Sequence, residues 1–195
     1  DSHDVLGTFQ IVSSRREMRR TPRSAEELIE ILQERHRIMM AARPDRDPGM
    51  FKMKNNHAGD THFVDYELVR GTLTKGYEYY RTLESPFSRA LFMLSRVSEV
   101  HPFNDGNGRI SRIMMNAEMV SADQSKIIIP TVFREDYLNS LRRLTRRSDP
   151  SVFIRAMSRA REFSANLIGD NFIATKTYLE KCNAFKEGED YILRF

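Results

Sequence analysis

Cys182 is the one cysteine in a sequence of 195 residues, so no internal disulfide forms. That usage suits a reducing compartment, and a small buried or half-exposed side chain is a simpler reading of Cys182 than a nucleophile. No run of 18 apolar residues occurs, which excludes a transmembrane helix. No signal-peptide pattern opens the chain, but it begins Asp1-Ser2-His3 without a methionine, so its start says little about targeting. Internal repeats, low-complexity tracts and flexible linkers are missing as well. What remains is 40% hydrophobic and 30% charged, the balance of one soluble globular domain with a sizeable core. The net charge is +4 and the pI about 9.3. Arginine pairs at Arg15-Arg16, Arg19-Arg20, Arg142-Arg143 and Arg146-Arg147 admit a nucleic-acid reading. Acidic residues are interspersed and no aromatic-studded motif accompanies them, so solvated helix faces explain them better.

Helix punctuation dominates. Ser24-Ala25-Glu26-Glu27 is a capping box that predicts a helix from Ala25 to about Ala41. Asp65 predicts the start of another, running to about Leu83. Ser85-Pro86 opens an apolar helix to about Glu99, with proline at the first helical position. Further helices are expected over 107–121, 134–146, from Asp149-Pro150 onward, and over 171–181. Thr8 to Ser13 reads as a strand or an arm, and Ile127 to Pro130 as an extended connector or a short strand. The expectation is an all-α bundle in a single domain, 1–195: an arm or strand over 1–23, the core bundle over 24–168, and a C-terminal helix and tail over 169–195. One segment breaks the helical rhythm. Phe51 and Met53 alternate with Lys52 and Lys54, Asn55 to Asp60 suggest a turn, and Phe63 follows. This predicts a short β-hairpin, either an ordinary surface feature or an edge that pairs with an extended peptide. His57, Asp60 and His62 fit no strong zinc pattern and lack a fourth ligand.

The chemistry is concentrated in His101-Pro102-Phe103-Asn104-Asp105-Gly106-Asn107-Gly108-Arg109-Ile110-Ser111-Arg112. Histidine takes a proton near neutral pH. An aspartate is the kind of oxygen ligand that Mg²⁺ uses at phosphates. Gly-Asn-Gly lets backbone N–H groups approach an anion, and a helix beginning there adds donors and a favourable dipole. Arg109 and Arg112, three apart, share a helix face and can grip neighbouring phosphates. Surface salt bridges for the arginines and an N-cap for Asp105 are the plain alternatives. Pro102 and Phe103 read as structural.

This string resembles the signature of the Fic family, HPFx(D/E)GNGRxxR, and matches it at every specified position. The resemblance implies a Fic-type helical bundle with a small β-hairpin flap. It implies a cytoplasmic protein adenylyltransferase, expected to be bacterial, that moves AMP from ATP to a Ser, Thr or Tyr hydroxyl of a target protein and releases pyrophosphate. His101 is then the general base and Asp105 the Mg²⁺ ligand. Gly106, Asn107 and Gly108 form the anion hole, Arg109 faces the β-phosphate, and Arg112 the γ-phosphate. The hairpin becomes a flap that aligns the target, with Lys52, Met53, Lys54, Asn55 and Phe63 as docking candidates. Tyr137 and Leu138, with Met53 and Phe63 from the flap side, are candidates for the base pocket. A membrane partner is not expected.

The family is often restrained by a helix bearing (S/T)xxxE(G/N), whose glutamate pairs with the second signature arginine, here Arg112. No segment matches in full. Glu17 in Ser13–Met18 and Glu187 in Asn183–Gly188 each miss one position. An inhibitory helix and a separate antitoxin are the candidate regulatory partners, and a homo-oligomer is a further candidate partner. Phosphotransfer as in the related Doc toxins is disfavoured, because Doc-like motifs lack the intact Gly-Asn-Gly-Arg-x-x-Arg set present here; transfer of another nucleotide or of phosphocholine, or a nucleotide-binding regulatory module without transfer, stays open.

Overall fold

The computed structural model describes residues 2–188 and 190–195. Contacts divide the chain into two compact units, residues 1–124 and 125–195. The first unit contains α1 (Ser2–Ser13), α2 (Arg15–Met18) and α3 (Ala25–Met39). A two-stranded antiparallel hairpin follows, β1 (His57–Ala58) and β2 (Thr61–His62), then α4 (Val69–Tyr80), α5 (Pro86–Val100) and α6 (Asn107–Ser121). Helices begin where the caps require. Ser24 Oγ accepts from the Glu27 N–H at 3.1 Å, and Ser85 Oγ accepts from the Ser88 N–H at 3.1 Å with Pro86 following it. Glu27 also reaches back to accept from the Arg23 N–H at 2.7 Å. Asp65 precedes a turn of 3₁₀ helix over Tyr66–Leu68, and α4 starts only at Val69.

The core of this unit is one cluster. Leu28, Ile31, Leu32 and Met39 of α3 meet Leu73 of α4, Met93 and Val97 of α5, and Ile110, Ile113 and Met114 of α6. The hairpin of α5 and α6 forms its most closely packed pair of helices. Residues 8–13, expected as a strand or arm, form the second half of α1. Packing decides this: a β-carbon on Gly7 would lie 2.5 Å from the Met39 carbonyl oxygen, and Ile11 is fully buried. The close seat on α3 overrides the strand preference of Thr8, Ile11 and Val12.

The fully buried Arg35 fastens α2 to α3. Its guanidinium donates to Glu17 Oε1 at 3.0 Å and to the carbonyls of Glu17 and Arg20 at 2.6 and 2.8 Å. A buried charge so completely partnered is tolerated, whereas one stripped of its partners is costly.

The second unit contains α7 (Arg134–Arg147), α8 (Ser151–Ala165) and α9 (Phe172–Lys181). Residues Ile127 to Pro130 are extended and form no strand; the Ile128 N–H donates to Ser164 Oγ at 2.8 Å. Asn171 caps α9 by accepting from the Ala174 N–H at 3.0 Å. No helix among the described residues is long and apolar enough to cross a membrane.

Candidate active site

α5 ends at Val100, and His101 follows in a left-handed backbone conformation, φ 49° and ψ 58°. For a residue with a β-carbon this costs roughly 1–2 kcal/mol, and such strain persists only where neighbours enforce it. Here they do. His101 Nδ1 lies 3.3 Å from the Ser98 carbonyl. A carbonyl only accepts, so Nδ1 carries the proton and Nε2 is left as the basic nitrogen. Phe63 lies flat on the imidazole, with centroids 3.7 Å apart and planes 5° apart. Burial lowers the imidazole pKa to about 4, so His101 is neutral at physiological pH.

The loop from Pro102 to Gly106 is held by its own side chains and by α3. Asn107 Oδ1 accepts from the Phe103 N–H at 2.9 Å while Nδ2 donates to the Phe103 carbonyl at 2.8 Å. The Asn107 side chain is therefore buried and structural; only its backbone can serve the expected anion hole. His36, which sequence reasoning missed, lies beneath the loop with no exposed surface. It stacks on Phe103 at 3.7 Å, accepts from the Gly49 N–H through Nδ1 at 2.9 Å, and so donates through Nε2 to the Asp105 carbonyl at 3.0 Å. Burial lowers its pKa to about 4 as well. Its signal was a polar residue on the apolar face of α3, one turn from Leu32 and Met39.

Gly106 has φ +75° and precedes α6. A β-carbon there would come closest to the flexible tip of Met39, 2.7 Å away at Cε, so it is the backbone conformation that favours glycine. The N–H groups of Asn107 and Gly108 open α6, where backbone donors lack intrahelical acceptors. Arg112 lies over this turn: its Nη1 is 3.4 Å from where a Gly108 β-carbon would be. Asp105 Oδ1 accepts from the Gly106 N–H at 2.6 Å. Arg43 Nη1 approaches Asp105 Oδ2 at 3.2 Å, and Arg109 Nη2 approaches Oδ1 at 3.8 Å. Asp105, Arg109 and Arg43 share a cavity of about 800 Å³ with Val5, Thr8, Phe9 and Val12 of α1. That volume is ample for a nucleotide.

Among the described residues no three His, Cys, Asp or Glu side chains converge as a metal cage. Asp105 is half-exposed at the mouth of the cradle, a single carboxylate beside phosphate-binding donors. That donor set fits Mg²⁺, which keeps its waters and takes oxygens from a bound polyphosphate, and would not suit a metal needing a full protein cage.

Several expectations change. The hairpin is confined to residues 57–62, pairing His57 with His62 and Ala58 with Thr61. Residues 51–56 before it are irregular, because Phe51 turns toward Phe103 and Lys52 turns inward. Lys52, expected on a docking edge, is 1% exposed, and its ammonium donates to Asn56 Oδ1 at 2.6 Å and to the Val100 carbonyl at 3.3 Å. Asn55 ties the segment to the 3₁₀ turn before α4 through Asp65 and the Tyr66 N–H. Met53 and Lys54 are exposed. Phe63 is half-buried, with its ring face laid on the imidazole. Glu17 pairs with Arg35, not with Arg112. Among the described residues no ion pair joins Arg112 to a carboxylate. Tyr137 and Glu187 belong to the second unit. Tyr137 is buried in α7, and Glu187 lines a cavity with Arg134, Asp136 and Tyr191.

A strained histidine, a helix start presenting backbone N–H groups and two arginines on one helix face form an arrangement chemically able to take a phosphate anion. The Fic/DOC family model matches residues 27–119, which include the whole signature. A Fido domain-containing protein of Dictyostelium discoideum is 32% identical over 99 residues, spanning 48% of this chain and 69% of that protein. The chain belongs to the Fic/DOC family. The protein adenylyltransferase Fic of Drosophila persimilis is 33% identical over 82 residues, 42% of this chain and 16% of that enzyme. Among solved structures, Fic-1 of C. elegans superposes with a TM-score of 0.62 at 22% identity, over 92% of this chain and 49% of that one. This likeness is one of fold. The chain spans half of that structure and a much smaller part of the Drosophila enzyme.

Proposed function

We propose that this chain is a protein adenylyltransferase that transfers AMP from ATP to a Ser, Thr or Tyr hydroxyl of a target protein. The observation that carries this reading is the state of His101: neutral, with Nδ1 committed to the Ser98 carbonyl and Nε2 available, at the edge of an anion cradle. Curated relatives named protein adenylyltransferase support it. The target hydroxyl oxygen bonds to the α-phosphorus as its proton passes to His101 Nε2. The bond from the α-phosphorus to the bridging oxygen breaks, and pyrophosphate carries away that electron pair. Arg109 and the amides opening α6 stabilise the charge gathering on the leaving group, and Arg112 meets its outer phosphate. Mg²⁺ on Asp105 would neutralise charge on the polyphosphate. Asp105 would share with it oxygens that now face Arg43 and Arg109.

Intact-mass measurement after incubation with each nucleoside triphosphate and Mg²⁺ tests the proposal. A gain of one adenylate on the chain or on an added protein, absent in His101→Ala, is the expected result. A gain of phosphate or of another nucleotide, or no covalent gain with any protein tested, would replace this reading with transfer of that group or with a binding module.

A further inference from the structure

Val100 closes α5, where a helix end leaves its carbonyl without an intrahelical donor, and the carbonyls of His101, Pro102 and Phe103 follow in the loop. Each of the four accepts a hydrogen bond from one short segment, residues 52–56. Lys52 Nζ donates to Val100 at 3.3 Å, Asn56 Nδ2 to His101 at 3.4 Å, the Lys52 N–H to Pro102 at 2.8 Å, and Asn56 Nδ2 to Phe103 at 3.1 Å. The Lys52 ammonium also donates to Asn56 Oδ1 at 2.6 Å. This bond settles which way the amide faces: the oxygen must meet the ammonium, so the NH₂ group must meet the carbonyls.

A plain reading makes Lys52 a cation capping the C-terminus of α5. The geometry goes further. The hairpin 57–62 springs from Asn56 and returns to Phe63, and the Phe63 N–H donates to the Asn56 carbonyl at 3.3 Å. Both residues at its base converge on His101, Asn56 on its carbonyl and Phe63 on its ring face. We propose that Lys52 and Asn56 are positioning residues that join the exposed hairpin to His101, so that an extended peptide seated on the hairpin and the base that takes the proton of its hydroxyl move as one unit. This rests on the adenylyl-transfer reading for its purpose, but not for its measurement.

The test uses Asn56→Asp, of the same size but without the amide donors, and Lys52→Met, which keeps the apolar stem and loses the ammonium. The ¹⁵N signals of the His101 ring are recorded without nucleotide, ATP affinity is measured, and transfer is followed at saturating ATP. Both variants should keep a cooperative melt and ATP affinity within about twofold. The Nδ1–H tautomer should give way to a mixture, and kcat should fall about tenfold or more, the scale of a base displaced by a fraction of an ångström. Phe63→Leu combined with Asn56→Asp should lower kcat by less than the product of the single effects, because both act through His101. Unchanged ring signals in both single variants, ATP affinity lost in step with kcat, or independent effects in the double variant would overturn the proposal. If the parent transfers nothing to any protein, the transfer reading fails, while the ring signals still decide whether Lys52 and Asn56 position His101.

Discussion

Around His101 the backbone carbonyls are each bonded, the ring is stacked and one ring nitrogen is committed. Around Arg109 and Arg112 the charged groups are half-exposed, and Asp105 divides its oxygens between the Gly106 N–H and two arginines. Both ends belong to one twelve-residue run, yet their physics differs. A base must be neutral and aimed before the substrate arrives, so it is desolvated and fixed in advance. On the proposed reading a polyphosphate brings its own charge, and it would be met by counter-charges that exchange partners on binding. The proposed base is built by the fold; the phosphate grip is completed by the ligand.

The sharpest break of this contrast is Arg109→Ala. Losing its charge-assisted bonds should weaken ATP binding about 100-fold, while the His101 ring signals stay as in the parent. Calorimetry and ¹⁵N spectra check the two halves separately. Arg112→Ala is milder and more selective: ATP affinity should fall about tenfold and AMP affinity about twofold or less, since only ATP presents a γ-phosphate. Equal losses for both nucleotides would remove Arg112 from that place.

At the other end, Phe63→Ala should act through pH. The active imidazole is the neutral one, so with a pKa of about 4 the transfer rate should be level from about pH 8 to pH 5 and fall only below that. Removing the ring admits water, raises the pKa toward the ordinary histidine value and moves the acid limb upward. The rate at pH 7 should drop about fivefold from lost alignment alone, with ATP affinity unchanged. A pH–rate profile of both proteins checks this.

The smallest effect on the site, and a control for it, comes from Glu118→Gln. Glu118 is buried on α6 and accepts from Tyr80 Oη at 2.9 Å; burial raises its pKa to about 7. The folded state therefore binds more protons than the unfolded state between about pH 4.5 and 7, and this group's contribution is lost as pH rises through 7. Glutamine keeps the acceptor without the charge. It should add about 3 kcal/mol at pH 8 and no more than about 1 kcal/mol at pH 5, with both ends of the site untouched. Denaturant melts at the two pH values read it directly. His36 and His101 work with the opposite sign: their pKa values are depressed, so the stability they contribute is present above about pH 6.5 and lost as pH falls through 4.

Much of the fold was legible because helix ends announce themselves. Ser24, Ser85 and Asn171 cap as their side chains require, and α6 begins at Asn107, the residue expected from the glycines around it. α1 was missed because only its contact with α3 makes it helical. The signature residues were legible as types at fixed spacing. Their inward partners were not: His36, Asn56 and the buried ammonium of Lys52 act across long stretches of chain, on carbonyls that carry no sequence identity. Arg43 reached Asp105 in the same way. Lys52 was misjudged because a lysine between two apolar residues looks like the wet face of a strand, and only the end of α5 gives it a reason to be buried.

The contrast between a prebuilt base and a ligand-completed grip is most directly tested by titrating the ¹⁵N-labelled His101 ring without nucleotide and with saturating ATP and Mg²⁺. The Nδ1–H tautomer and a midpoint near 4 are expected in both conditions. A free protein whose His101 titrates near 6.5, or carries its proton on Nε2 until ATP binds, would contradict it.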